Sequence, residues 1–175
     1  MARRIHNYGC VFDDEAHLDR RLDLVAALSL LGAATDGHVL RSLRSAGLTG
    51  LTVGHGYVIQ RLVAGPSTAS ELAASLGVTQ QATSKTVAEL VRLGYVRQVA
   101  DPADGRRRPV ELTAEGRRAV ELSRATRADL ERRIADVVGE WSLGVAREVL
   151  AAAMDVLGMT TDVRRRAVPP PAESS

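Results

Sequence analysis

The sequence has a single cysteine, only 3% aromatic residues, and one lysine, Lys85, among its 23 basic residues. One cysteine, Cys10, excludes an internal disulfide framework and a multi-cysteine zinc site. So few aromatics argue against stacking platforms for single-stranded nucleic acid. No apolar run approaches the ~20 residues needed to cross a bilayer. The opening segment, MARRIHNYGCVFDDE, lacks the apolar stretch of a secretory leader. The expectation is a soluble, cytoplasmic protein without a membrane partner. There is also no Gly-x-Ser-x-Gly elbow, no glycine-rich phosphate loop followed by lysine, and no His-Glu-x-x-His. An enzyme is not expected, and no cofactor is implied.

Charge is mixed. The formal net charge is only +2, although the isoelectric point is about 9.1. The arginine bias is explained more simply by genome composition than by DNA binding. Any basic character that matters for function must therefore be local. A length of 175 residues suits one domain, or one DNA lobe plus a dimerisation lobe.

The most informative stretch is Thr68 to Thr113. Thr68 and Glu71 have capping-box spacing at a helix start. Leu72, Ala73 and Leu76 make a narrow apolar stripe, and Gly77 supplies a left-handed stop. Thr79 is placed to cap a second helix over about Gln80 to Leu93. On that helix Thr83, Val87 and Leu90 share one face, predicted to pack inward. The opposite face carries Gln80, Gln81, Ser84, Lys85 and Ala88. Glutamine suits adenine edges, serine several bases, lysine guanine or phosphate, and alanine the thymine methyl. Taken alone, this face reads equally well as a solvated surface.

The segment after this helix tips the balance toward DNA. Tyr95 to Val99 alternates as a strand, and Pro109 to Leu112 can pair back with it. Between them lies Asp101-Pro-Ala-Asp-Gly-Arg-Arg-Arg108, with a strong Asp-Gly turn signal. Three consecutive arginines at a hairpin tip repel one another unless an anion answers them. Guanidinium groups suit phosphate and a narrow minor groove. Asp104 can hold Arg106 in one orientation through a bidentate pair. The fold class expected is mainly α with a small β-wing.

Thr68-x-x-Glu71-Leu72-Ala73, Leu76-Gly77-Val78-Thr79, the Leu90…Gly94-Tyr95-Val96 exit, Asp101-Pro-x-Asp104-x-Arg106 and Leu112-Thr113-x-x-Gly116 together resemble the MarR family of bacterial transcription regulators. The resemblance covers about residues 51 to 118. One departure is visible: Gly105 stands where the wing usually carries an arginine, which loosens the tip. The resemblance implies a homodimeric regulator, most often a repressor, on an inverted-repeat operator. It implies Gln80, Gln81, Ser84 and Lys85 in the major groove. Arg106, held by Asp104, would enter the minor groove, with Arg107 or Arg108 on phosphate. It also implies a small-molecule effector pocket between the dimer base and the DNA lobe. His55, Tyr57 and Arg61 fall near that junction, and an imidazole, a phenol and a cation would suit a phenolic carboxylate.

The rest of the chain supports a two-lobe organisation. Residues 1–13 are polar and expected to be flexible, and 14–50 form an N-terminal helical dimerisation segment. Within it Leu18, Leu22, Val25, Ala26, Leu28 and Leu31 make a broad apolar face, and a break is predicted near Gly32 to Gly37. Asp13-Asp14-Glu15 suits a helix N-terminus. The DNA lobe is placed at 51–113, with Thr52 capping a helix over Val53 to Val63. Residues 114–158 hold the C-terminal helices. Thr113 caps one helix to about Val138, Gly139-Glu140-Trp141 turns, and Ser142 caps another. Ile134, Val149, Leu150, Met154 and Leu157 extend the dimerisation face, which one chain alone would struggle to bury. The tail, 159–175, is charged and proline-rich, and disorder is expected.

Two other readings stay open. One is a metal or peroxide sensor on the same scaffold, using His17, His38 and His55 with Asp36 or a carboxylate from Asp13 to Glu15, or using Cys10. The histidine spacing gives no ligand geometry, surface histidines are the default, and no metal site is assigned. Asp13, Asp14 and Glu15 would raise the Cys10 pKa, which favours an inert thiol. The other reading is a winged-helix module that binds protein instead of DNA.

Overall fold

The structure, a computed structural model, describes residues 23–100 and 107–159. Six helices and two strands lie within them: α1 (Leu24–Ser45), α2 (Val53–Leu62), α3 (Ala69–Leu76), α4 (Gln80–Arg92), β1 (Val96–Gln98), β2 (Val110–Leu112), α5 (Ala114–Val138) and α6 (Glu140–Val156). The fold is mostly helical with one small antiparallel sheet.

Threonines start the helices of the central lobe. Thr52, Thr68, Thr79 and Thr113 are extended, and each hydroxyl accepts a backbone N–H from the first turn. At α3 the Thr68 N–H donates to Glu71 Oε2 at 2.8 Å, completing a capping box. At α2 a histidine takes the glutamate's role: Thr52 N–H donates to His55 Nδ1 at 3.2 Å. Gly77 closes α3 at φ 65°, a left-handed conformation that glycine adopts without a Cβ penalty.

The core of this lobe is continuous. Leu72 and Leu76 of α3, and Thr83, Val87 and Leu90 of α4, are all buried, as their spacing predicts. They meet Val58, Ile59 and Leu62 of α2, and Val96, Val110 and Leu112 of the sheet. In the hairpin Val96 pairs with Leu112, Arg97 with Glu111 and Gln98 with Val110. Ser67 exchanges two backbone hydrogen bonds with Val110, at 3.0 and 2.9 Å, so the turn before α3 acts as a third edge of the sheet.

A tight joint ties the sheet to α5. The Thr113 hydroxyl donates to a carbonyl at the β1 entry, 2.6 Å from Gly94 O and 3.1 Å from Tyr95 O. The Thr113 N–H donates to Tyr95 O at 3.0 Å. Gly116 passes so close that a Cβ there would sit 2.1 Å from the same Tyr95 carbonyl oxygen. Tyr95 itself is buried, and its hydroxyl donates to Thr49 O at 2.9 Å.

The flanking helices differ from expectation in three places. The helix expected from Asp14 to Ala46 does not run through Asp23: that residue is extended and its carboxylate accepts Ala26 N–H at 2.8 Å, so α1 starts at Leu24. Residues 14–22, including Leu18 and Leu22, lie outside the described residues. No break occurs at Gly32 or Gly37. A helical glycine costs only about 1 kcal/mol, and the C-terminal half of α1 is pinned to α5. Val39 and Leu43 are buried there, and the Ser42 and Thr126 hydroxyls are 2.9 Å apart. Finally, Ser142 lies inside α6 and caps nothing. Gly139, at φ 81°, turns the chain in a single residue, and α6 begins at Glu140 without a side-chain cap.

α6 has no buried residue, and the N-terminal half of α1 is largely exposed. Val25, Ile134, Val149, Leu150 and Leu157 are all exposed, as are Leu24, Leu30, Leu31, Val137 and Trp141. Met154 is half-buried. None of the helices among the described residues is long and apolar enough to cross a membrane.

Candidate nucleic-acid interface

α4 is amphipathic in a strict sense. With Thr83, Val87 and Leu90 turned inward, Gln80, Gln81, Ser84, Lys85 and Ala88 are all exposed on the other side. α3 packs across α4 and is joined to it by the Gly77 stop. Lys85 makes no ion pair among the described residues. The face therefore offers two amides, a hydroxyl, an ammonium and a methyl, with one acidic group nearby. That group is Glu89, which is drawn toward His55 at 3.3 Å and Arg92 at 3.9 Å.

The hairpin leaves the sheet beside the start of α3. Asp104 and Arg106 lie outside the described residues. Arg107, which with Arg108 is a candidate for phosphate contact, pairs with Glu71. Arg108 is exposed. Arg97 and Glu111 brace the hairpin from opposite strands at 2.6 Å.

Glu71 serves two structures at once. The Thr68 backbone N–H and hydroxyl, with smaller help from Arg107 and Ser67, hold its carboxyl below the ordinary glutamate range. Because the folded value is depressed, Glu71 contributes fully above the ordinary glutamate pKa, and that contribution is lost as pH falls through the lowered value. The Glu71 carboxyl resonance is expected to titrate below that of a solvated glutamate, and Arg107→Ala is expected to move it part of the way back. A midpoint at the solvated value would show that neither contact forms.

A second feature lies behind the lobe. A cleft of about 750 Å³ opens between α1, α2 and α5. Its wall is apolar, with Val39, Leu40, Leu43, Leu51, Ile59 and Val120. Its rim carries Asp36, Tyr57, Arg61, Arg124 and Arg127. Asp36 and Arg127 face each other at 4.0 Å. Arg61 reaches Ser75 O at 3.2 Å, tying α2 to the end of α3. Burial, and to a lesser degree the Asp36 carboxylate, raise the Tyr57 pKa, so the phenol stays a neutral donor.

Of the three residues expected at an effector site, Tyr57 and Arg61 line this cleft and His55 does not. His55 is 2% exposed and spends both ring nitrogens elsewhere, on the Thr52 N–H and on Glu89. That also removes it from a metal set with His38. Among the described residues no three His, Cys, Asp or Glu side chains cluster as metal ligands. His17 and Cys10 lie outside the described residues. Arg124 and Arg127 were missed in the sequence, because they sit in a polar interval of α5 that read as solvated. Asp36 enters the sequence reading only as a candidate metal ligand beside the histidines, not as a cleft residue.

The model of the MarR family matches residues 49–107, which run from the loop before α2 into the hairpin. Over these residues the lobe is similar to the MarR family, and its helices and hairpin have the order of a winged helix. Likeness in fold to solved structures extends beyond the matched segment. RV1404 from Mycobacterium tuberculosis aligns over 75% of this chain and 88% of its own, with a TM-score of 0.66 and 23% identity. The transcriptional regulator Tm0710 from Thermotoga maritima covers 78% and 94%, with a TM-score of 0.56 and 22% identity. A mutant of S. aureus MepR, solved bound to an oligodeoxyribonucleotide, covers 77% and 98%, with a TM-score of 0.56 and 18% identity. At these identities the likeness is one of fold. No curated protein matches the chain in sequence.

Proposed function

We propose that the chain is a homodimeric, sequence-specific double-stranded DNA-binding regulator of transcription, acting as a repressor on an inverted-repeat operator. The observation that carries this reading is the outward face of α4. It is exposed and polar, and nothing among the described residues covers it. Gln80, Gln81 and Ser84 read base edges in the major groove, and Lys85 on the same face meets a flanking phosphate. The hairpin arginines, with Arg106 oriented by Asp104, reach the adjacent minor groove and phosphates. Two copies related by a two-fold axis present their α4 helices to successive major grooves ~34–36 Å apart. A similarly folded MepR mutant bound to an oligodeoxyribonucleotide supports DNA as the ligand.

The second copy covers the exposed apolar faces of α1, α5 and α6. Val25, Ile134, Val149, Leu150, Met154 and Leu157 lie in that interface. A small-molecule effector, an apolar body carrying an anionic group, enters the α1–α2–α5 cleft beside Tyr57, Arg61, Arg124 and Arg127. It releases DNA by binding more tightly to a lobe spacing that misses successive grooves.

Selection from a random duplex pool tests the reading. Recovery of a palindromic site is expected, with binding that weakens steeply in salt. Lys85→Ala is expected to flatten the log–log salt slope by about 0.9, the share of one neutralised phosphate. It should leave the melting temperature within a few degrees, because Lys85 is exposed. Failure to recover any duplex would return the lobe to the class of protein-interaction modules.

A further inference from the structure

His55 is buried, is conformationally fixed, and belongs to neither the α4 face nor the cleft. Its Nδ1 accepts the Thr52 N–H at 3.2 Å, so the proton of the neutral ring sits on Nε2. That nitrogen faces Glu89 Oε2 at 3.3 Å. Glu89 lies four residues after Lys85 on α4, and residues four apart on a helix are neighbours. Left to itself, the carboxylate would lie within reach of the Lys85 ammonium and cancel it. The structure shows another arrangement: Glu89 is engaged by His55 and Arg92, and Lys85 has no ion pair among the described residues.

We propose that His55 is a positioning residue for DNA binding: it holds Glu89 back from Lys85 and so leaves the only lysine of the chain available to a phosphate of the duplex. The inference rests on the DNA-binding reading above. It gives the acidic residue of α4 a role that its place beside a phosphate-facing surface would otherwise contradict. It also joins the cleft to the DNA face, because Thr52, Val53 and Gly56 of the same first turn line the cleft. A ligand that shifts this turn moves the His55 ring, and with it the Glu89 carboxylate.

The test is a salt titration by fluorescence anisotropy, on the duplex that the wild-type protein recovers from a random pool. His55→Leu keeps the apolar bulk and removes both nitrogens. It is expected to flatten the log–log slope by about 0.9, as if one phosphate contact were lost. His55→Gln, which keeps a donor and an acceptor on the side chain, is expected to retain most of the wild-type slope. In a Glu89→Gln background no carboxylate can be released, so His55→Leu should leave the slope unchanged. A folded His55→Leu protein with the wild-type slope overturns the proposal, and so does an equal loss in both backgrounds. A second measurement stands apart from the stability of any variant. The nitrogen resonances of His55 in the wild-type protein should report the Nε2–H tautomer, and an Nδ1–H tautomer would overturn the arrangement. If the wild-type protein selects no duplex, the DNA reading fails, while the tautomer still judges the hold on Glu89.

Discussion

Gly116→Ala is expected to destabilise the protein by about 1–3 kcal/mol, the range for forcing an extra methyl group into a well-packed site. The direction is the informative part. In an ordinary helix interior the same change is favourable, because alanine loses less conformational entropy than glycine. At Gly116 the added Cβ would meet the Tyr95 carbonyl oxygen at 2.1 Å, and that oxygen belongs to backbone. It also accepts hydrogen bonds from the Thr113 N–H and hydroxyl. Relieving the clash means lifting α5 off the sheet and loosening three contacts together. Gly32, in the exposed half of α1, is the control: a Cβ there has nothing within 4 Å. Gly32→Ala is expected to stabilise by about 0.5–1 kcal/mol. Denaturant titrations of the two variants should move the midpoint in opposite directions. Equal shifts of the same sign would mean that the α5 joint is not as drawn.

Leu150→Glu is expected to raise the dimer dissociation constant roughly a thousandfold or more. Each buried, unpaired carboxylate costs several kcal/mol, and a two-fold interface meets the substitution twice. Leu150 is exposed in the single chain, at 38%, so the protomer itself should tolerate the charge. Val25→Glu on α1, where the side chain is 73% exposed, is expected to act in the same direction. Sedimentation equilibrium reads both. The wild-type protein should sediment at twice the 18.7 kDa chain mass and the variants should approach that mass. A wild-type protein that sediments as a single chain would remove the interface from the proposal, and the fixed groove spacing with it.

Much of the DNA lobe was legible because its signals are local. Thr68 with Glu71, Gly77, Thr79 and Thr113 each act within one turn of chain, and the inward triad Thr83, Val87 and Leu90 follows from helical period alone. His55 was hidden for a chemical reason. A histidine three residues after Thr52 is not the usual capping partner, so the sequence pattern placed it with ligand-binding groups. The unbroken α1 and the early start of α6 depend on what the helices pack against and on the backbone angle at Gly139. The cleft depends on three helices distant in sequence. No spacing rule brings Asp36 to Arg127, or the two arginines of α5 to Tyr57.

The Arg107–Glu71 pair changes how ion release should be counted. An arginine that comes to DNA from open solvent sets free a condensed counterion when it meets phosphate. In the proposed complex Arg107 would come to the duplex with a carboxylate already in hand. Giving it up is an exchange of one anion for another, and the abandoned Glu71 recruits a cation of its own. The wing should therefore appear, in any salt titration, to touch fewer phosphates than it has guanidinium groups near the backbone.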